Sequence, residues 1–187
     1  MNRILIVTAL HREIPDRFEE PFFNHNILFT GVGKINATYE LTKVLSKDRF
    51  DLVINYGTAA SKIYQGLVDC TKFIQRDMDV TPLGFKIGET PFERSSDSSM
   101  IDFSHIKNPI GKNLCCYTGD SFATDLTPYD DVVDMEAYAL AKTCWKEHIN
   151  FVSYKYISDD GNADDWKKNC SKGAKEFKKI LEYYKGV

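Results

Sequence analysis

The chain has 187 residues, 43% of them hydrophobic and 27% charged, with a net charge of −3 and a pI near 5.8. This predicts one domain with a substantial core and gives no electrostatic footing for nucleic acid or an anionic membrane. No apolar run approaches the ~20 residues of a membrane span, and the opening MNRILIVTAL is too short for the apolar region of a signal peptide, so a cytoplasmic protein is expected.

Arg3 to Leu10 reads as a continuous apolar strand, buried on both faces. Asn26 to Thr30 is a second strand ending in Gly31-Val32-Gly33, and from Asn36 the pattern turns helical, with Ala37, Leu41, Val44 and Leu45 on one face. Leu52 to Tyr56 is a buried strand followed by the small residues Gly57 to Ala60. Lys72 to Arg76 and Asn113 to Tyr117 are further strands. Between them, residues 86–112 break the rhythm with Gly, Pro, Ser and charge. They are expected to form a loop excursion: a lid, a subunit contact or a floppy segment. Asp134 and Glu136 open a helix with the stripe Val133, Ala137, Leu140 and Cys144. Phe151 to Ile157 is the last strand and runs into Ser158-Asp159. Trp166, Cys170, Ala174, Phe177, Leu181 and Tyr184 mark one C-terminal amphipathic helix with a solvated lysine-rich face. Strands alternating with helices predict an α/β fold, a single domain over residues 1–187 with a central mixed, largely parallel sheet and helices on both faces.

In an open sheet of this kind ligands bind beyond the carboxyl ends of the strands. Glu13, Asp134, Glu136 and Asp159 all fall after strands at that edge. Taken singly each acid has a bland reading: Glu13, Asp134 and Glu136 suit a first helical turn, where the macrodipole favours negative charge. Gly31-Val32-Gly33-Lys34 lacks the spacing of a phosphate loop, and a turn needing flexible backbone accounts for both glycines. Gly57-Thr58-Ala59-Ala60 admits either a ligand close to the backbone or tight strand–helix packing. Thr118-Gly119-Asp120-Ser121-Phe122 offers an aromatic ring for a planar base or a plain Asx turn. The five cysteines (Cys70, Cys115, Cys116, Cys144, Cys170) lack C-x-x-C spacing and read as buried or inert thiols, with one reactive thiol as the alternative. The histidines His11, His25, His105 and His148 are scattered, so no protein-bound metal is expected.

Seven segments occur in an order that resembles a known family: Glu13, GVGKINAT (Gly31 to Thr38), YGTAA (Tyr56 to Ala60), RDMDVTPLGF (Arg76 to Phe85), TGDSF (Thr118 to Phe122), DMEAYALA (Asp134 to Ala141) and ISDD (Ile157 to Asp160). Together they resemble the nucleoside phosphorylase/nucleosidase superfamily, most nearly the 5′-methylthioadenosine/S-adenosylhomocysteine nucleosidases. The resemblance implies a mixed sheet flanked by helices and cleavage of the N-glycosidic bond of a purine nucleoside or thionucleoside. It makes Asp159 the general acid toward the departing base and Ser158 the residue that orients it. It makes Glu13 the acid that positions water, Glu136 the holder of the ribose hydroxyls and Met135 its neighbour beside the sugar. Thr58 falls near the water or ribose, Phe122 and the backbone of Ala123 in the adenine-binding segment, and Asp134 where glutamate is usual.

The resemblance also implies no cofactor, a small-molecule nucleoside as ligand and a homodimer, with residues 81–92 as the contact. Phosphorylases of the superfamily hold phosphate with arginine near the glycine-rich turns; here Asn55 precedes Tyr56-Gly57 and the GVGK turn carries Lys34, which favours water, with Arg12 as the exception to check. A phosphate-dependent phosphorylase and a non-catalytic nucleoside-binding protein are the alternatives. The chain departs from the usual pattern in its shortness, in a compact connection from Ser61 to Lys72, and in the acidic run DGNADDW after Asp159. In that run Trp166 offers an apolar wall. The base and the 5′ substituent stay open.

Overall fold

The computed structural model describes residues 3–15, 26–93 and 99–184. The first strand, β1 (Ile4–Thr8), is buried along its whole length, as an unbroken apolar run requires. It pairs in parallel with β2 (Asn26–Phe29) and β3 (Leu52–Ala60). The other edge of β3 pairs in parallel with β8 (Asn150–Asp159). From there β8 pairs antiparallel with β4 (Gly66–Gln75), β4 parallel with β6 (Leu114–Thr118), and β6 parallel with β7 (Val132–Asp134). The path returns to β3 through the antiparallel pair Ala60 and Val133. A short β5 (Ile101–Asp102) runs antiparallel beside β4.

The sheet is mixed, but the open sheet expected from the alternating pattern is corrected: β3, β8, β4, β6 and β7 close into a ring. Strand length explains the closure. β3 pairs with β1 over Leu52–Asn55 and with β7 at Ala60, while β4 pairs with β8 over Gly66–Cys70 and with β6 over Cys70–Gln75. Strands this long twist enough for their two ends to belong to different partners.

Helices lie on both faces. α1 (Lys34–Leu45) and α2 (Ala137–Lys146) bury Ala37, Leu41, Leu140 and Cys144 against Leu5, Val53, Phe73 and Phe151. On the other face α4 (Ala174–Tyr184) buries Phe177, Leu181 and Tyr184 against Ile4, Ile6, Ile54 and Tyr154. Tyr56 and Phe177 stack there with ring centroids 4.2 Å apart. Each such side chain contributes roughly 1.5–3 kcal/mol by leaving water.

Four further expectations are corrected. Gly57 to Ala60 does not follow the strand at Tyr56 but continues it as the end of β3, paired with Lys155 to Asp159. The Ser61 to Lys72 connection is shorter than expected, since β4 already begins at Gly66. Val133 and Asp134 pair with Tyr117 and Thr118 as β7, and the helix starts only at Ala137, with Glu136 at its N-cap. The helical spacing of Val133 was coincidental, and consecutive valines suit the pleated surface of a strand. The C-terminal helix is two helices: α3 (Ala163–Asn169), capped by the Asn162 side chain accepting from the Asp164 and Asp165 N–H groups, and α4. At the break, a Cβ on Gly173 would lie 2.4 Å from the Tyr156 side chain, so only glycine permits this approach to β8. Residues 94–98 of the expected 86–112 excursion lie outside the described residues, as do His25 and residues 1–2 and 185–187 of the expected domain. In its described part the excursion supplies β5.

Candidate active site

A cavity of about 190 Å³ opens at the carboxyl ends of β1, β3 and β8, and eight of the nine predicted site residues line it: Glu13, Thr58, Phe122, Ala123, Asp134, Met135, Glu136 and Asp159. The ninth, Ser158, stands behind Asp159 and donates to its Oδ2 at 2.8 Å. Val32 and Trp166 also line the cavity.

The short 3₁₀ turn His11–Glu13 after β1 delivers a buried Glu13. Its Oε2 accepts from Thr8 Oγ1 and the Leu10 N–H, each at 3.0 Å. Its Oε1 accepts from the Thr58 N–H at 2.8 Å and from Thr58 Oγ1 at 2.9 Å. A carboxylate has about four acceptor positions, and all four are engaged. The approach to β3 depends on Gly57, where a Cβ would sit 3.2 Å from Oε1.

Asp159 ends β8 across the cavity, 9% exposed. Besides Ser158, its Oδ1 accepts from the Gly161 N–H at 2.9 Å. Burial pushes its carboxyl above the ordinary aspartate range, helped by the charges of Asp160 and Asp165, and the two hydrogen bonds oppose this without reversing it. A carboxyl whose proton affinity is raised in this direction suits a proton donor to a leaving base.

Glu136, at the N-cap of α2, lines the same cavity. Burial, and next the charge of Asp134, push its carboxyl up to about 8, against the pull of Lys155 and of the Gly33 N–H. That N–H reaches Glu136 Oε1 at 2.8 Å. Asp134 lines the cavity with its own carboxylate committed inward. It accepts from Thr118 Oγ1 at 2.5 Å, the Ala137 N–H at 2.8 Å and the Glu136 N–H at 3.2 Å, and it pairs with Lys155 Nζ at 2.8 Å. Burial alone would raise Asp134, but Lys155 and these donors outweigh it and hold the carboxyl below the usual range. Against its own burial, Lys155 is held well above the usual lysine range, chiefly by Asp134.

Sequence reasoning missed Lys155. The signal was a lysine inside the run FVSYKYI, since a lysine buried to 1% exposure requires an acidic partner. It also missed how the glycine turn is used: rather than an open anion nest, Gly33 and Lys34 spend consecutive N–H groups on Glu136 and on Asp120 Oδ1, each at 2.8 Å.

Among the described residues, three basic side chains beside the cavity have partners of different kinds. Lys34 Nζ bonds Asp77 at 2.5 Å and lies 3.5 Å from Asp120. Arg76 holds Ser121 through both its carbonyl and its hydroxyl, and Arg12 lies over the Trp166 ring, 5.7 Å from the centroid. Among the described residues no basic side chain lines the cavity, and no cluster of His, Cys, Asp or Glu is placed to hold a metal. All five cysteines are free. Four are buried, and burial pushes the half-buried Cys115 thiol up to about 12, which leaves it inert near neutrality. No described helix is long and apolar enough to cross a membrane.

No protein-family model matches the chain. Among curated proteins, a 5′-methylthioadenosine/S-adenosylhomocysteine nucleosidase of Anoxybacillus flavithermus is 32% identical over 155 residues, 71% of this chain. The chain spans 66%, just under two thirds, of that relative's length. A protein of the same name from an Exiguobacterium species is 29% identical over 192 residues, covering 84% of this chain and 82% of its own. Among solved structures, the nucleosidase of that name from Helicobacter pylori superposes with a TM-score of 0.81 at 19% identity, over 97% of each chain, which establishes the shared fold. The chain belongs to the nucleoside phosphorylase/nucleosidase superfamily, with relatives that are nucleosidases, N-glycosyl hydrolases.

Proposed function

We propose that the protein hydrolyses the N-glycosidic bond of a purine nucleoside or thionucleoside, with adenine as the favoured base and water as the nucleophile. One observation carries this reading: Glu13, Glu136 and Asp159 share one cavity, and no basic side chain among the described residues lines it. Cleavage builds an oxocarbenium-like sugar, and surrounding carboxylates stabilise its positive charge. Asp159, oriented by Ser158, gives its proton to a ring nitrogen of the departing purine beside Phe122 and Ala123. Glu136 holds the ribose hydroxyls next to Met135, and Asp134 with Lys155 fixes the start of α2 beneath them. Glu13 with Thr58 aims the water: the water oxygen bonds C1′ as the C1′–N bond breaks, and one water proton passes to Thr58 Oγ1 while the Thr58 hydroxyl proton moves on to Glu13 Oε1.

The same observation disfavours the phosphorylase. A phosphate dianion would enter among four carboxyl groups with no basic side chain among the described residues in the cavity lining, and Lys34 and Lys155 are already paired with acids; Arg12, held only by the Trp166 ring face, is the cation whose removal tests this. A pure binding protein gains nothing from isolating Asp159 in a site that raises its proton affinity. Base release should be assayed over 5′-methylthioadenosine, S-adenosylhomocysteine, adenosine, inosine and deoxyadenosine, with and without phosphate. Release without phosphate is expected; a strict phosphate requirement contradicts the reading, and binding without turnover favours the binder.

The reading includes a cytoplasmic homodimer. Five free cysteines fit a reducing compartment. Support for the dimer comes from Leu83 at 67%, Ile87 at 62% and Phe92 at 89% exposure in residues 81–92, and from Ile35 at 81% on α1. Phe92→Asp is expected to shift the sedimenting species toward the monomer; an active wild-type monomer contradicts it.

A further inference from the structure

Trp166 does more than wall the cavity. It stands on α3, one turn after the Asn162 cap, and its indole Nε1–H donates to Thr58 Oγ1 at 3.0 Å. Thr58 Oγ1 in turn lies 2.9 Å from Glu13 Oε1. The chemistry of the three groups gives this chain a direction. An indole N–H only donates, and a threonine hydroxyl has one proton and two lone pairs. With one lone pair taken by the indole, the hydroxyl proton goes to Glu13 Oε1, and one lone pair remains at a residue that lines the cavity. The Arg12 guanidinium over the outer ring face, 5.7 Å from its centroid, gives the indole a second hold.

We infer that Trp166 is a positioning residue for the nucleophile: it heads a one-way hydrogen-bond chain through Thr58 to Glu13 that fixes the threonine rotor and presents its remaining lone pair to the attacking water. The inference rests on the hydrolase reading of the same cavity. Thr58, left without the indole, samples rotamers and hydroxyl orientations that do not serve the water, so Trp166 acts on the chemical step more than on substrate affinity. It also links α3, which follows directly on the general-acid strand, to the nucleophile side of the cavity.

Kinetics of Trp166→Phe, Thr58→Val and the double variant test this. Phe keeps a smaller aromatic wall and removes the N–H donor, and the Thr58→Val background separates the lost donor from the lost ring area. Trp166→Phe is expected to lower kcat about fivefold, the worth of one net hydrogen bond, with KM nearly unchanged. In the Thr58→Val background the same change should cost nothing further, because the chain is already cut. The Trp166 indole N–H resonance, recognised by its absence in Trp166→Phe, should shift in Thr58→Val and stay in place in Thr58→Ser. Unchanged kcat in Trp166→Phe, a loss confined to KM, additive losses in the double variant, or an indole resonance indifferent to Thr58→Val each overturn the inference while the hydrolase reading stands. Should Trp166→Phe fail to fold, the resonance is assigned as the one that persists in Trp145→Phe, and its shift between Thr58→Val and Thr58→Ser decides alone. A wild-type protein that releases no base overturns the hydrolase reading and this inference with it.

Discussion

The two walls of the cavity carry the same functional group in opposite settings. On the β1–β3 wall, four donors converge on Glu13, two of them backbone N–H groups that cannot turn away. On the β8 wall, Asp159 has two donors, sits in partial burial, and is flanked by the acids Asp160 and Asp165. Around Asp159, desolvation and like charge favour the form of the carboxyl that carries a proton, while Glu13 is held by geometry as a hydrogen-bond acceptor. The cavity thus separates an acceptor from a proton donor without a histidine or a metal ion in its described lining.

The sharpest way to break this contrast is to disable one wall at a time. Asp159→Asn keeps the shape and removes the proton; kcat is expected to fall by ~10²–10⁴-fold with folding intact by circular dichroism. Next in size is the support beneath both walls. Lys155→Met leaves Asp134 buried and unpaired and should cost about 3–5 kcal/mol in urea denaturation, whereas removing both partners, Lys155→Met with Asp134→Leu, should recover much of it. If the single change proved neutral, the pair would not be the floor of the site. Glu13→Gln comes third: its amide group turns a donor toward donors, and roughly 1–3 kcal/mol of stability should be lost together with turnover.

A pH-dependent effect concerns Glu136, whose carboxyl is pushed up to about 8 by burial first and Asp134 second. A raised acid binds more protons folded than unfolded, so its contribution to stability is complete below the ordinary glutamate value and is lost as pH rises through about 8. Glu136→Gln should therefore flatten the decline of stability across that window while weakening ribose binding. A wild-type stability that rises with pH there, and does not change slope in the variant, contradicts this.

Much of this was legible in the sequence, and unevenly so. The buried strands announced themselves by continuous apolar runs, and eight of the nine residues assigned through the family's motifs do meet in one cavity. Ring closure was not legible, because it depends on which stretch of a long strand each neighbour takes. That is a matter of twist rather than of local pattern. Val133 was misread because a spacing of four fits a helix and a β-branched strand alike. Trp166 was misplaced for a related reason: its helical spacing ran on across Gly173, whose role is visible only once Tyr156 lies against it. Lys155 was passed over because a strand's apolar neighbours hide a charge whose partner lies 21 residues away in sequence, at Asp134.

The division of labour between the two walls is tested most directly by the pH profile of kcat for adenine-nucleoside hydrolysis, measured for the wild type and Asp159→Asn in phosphate-free buffer. Because burial raises the Asp159 carboxyl, its proton is retained above the ordinary aspartate range and lost as pH rises further. The wild type should therefore show turnover that falls on the alkaline side, and Asp159→Asn should retain only a low rate from which that limb has gone. Wild-type turnover in Asp159→Asn, or an alkaline limb that survives the substitution unchanged, would contradict the assignment of Asp159 as the proton donor.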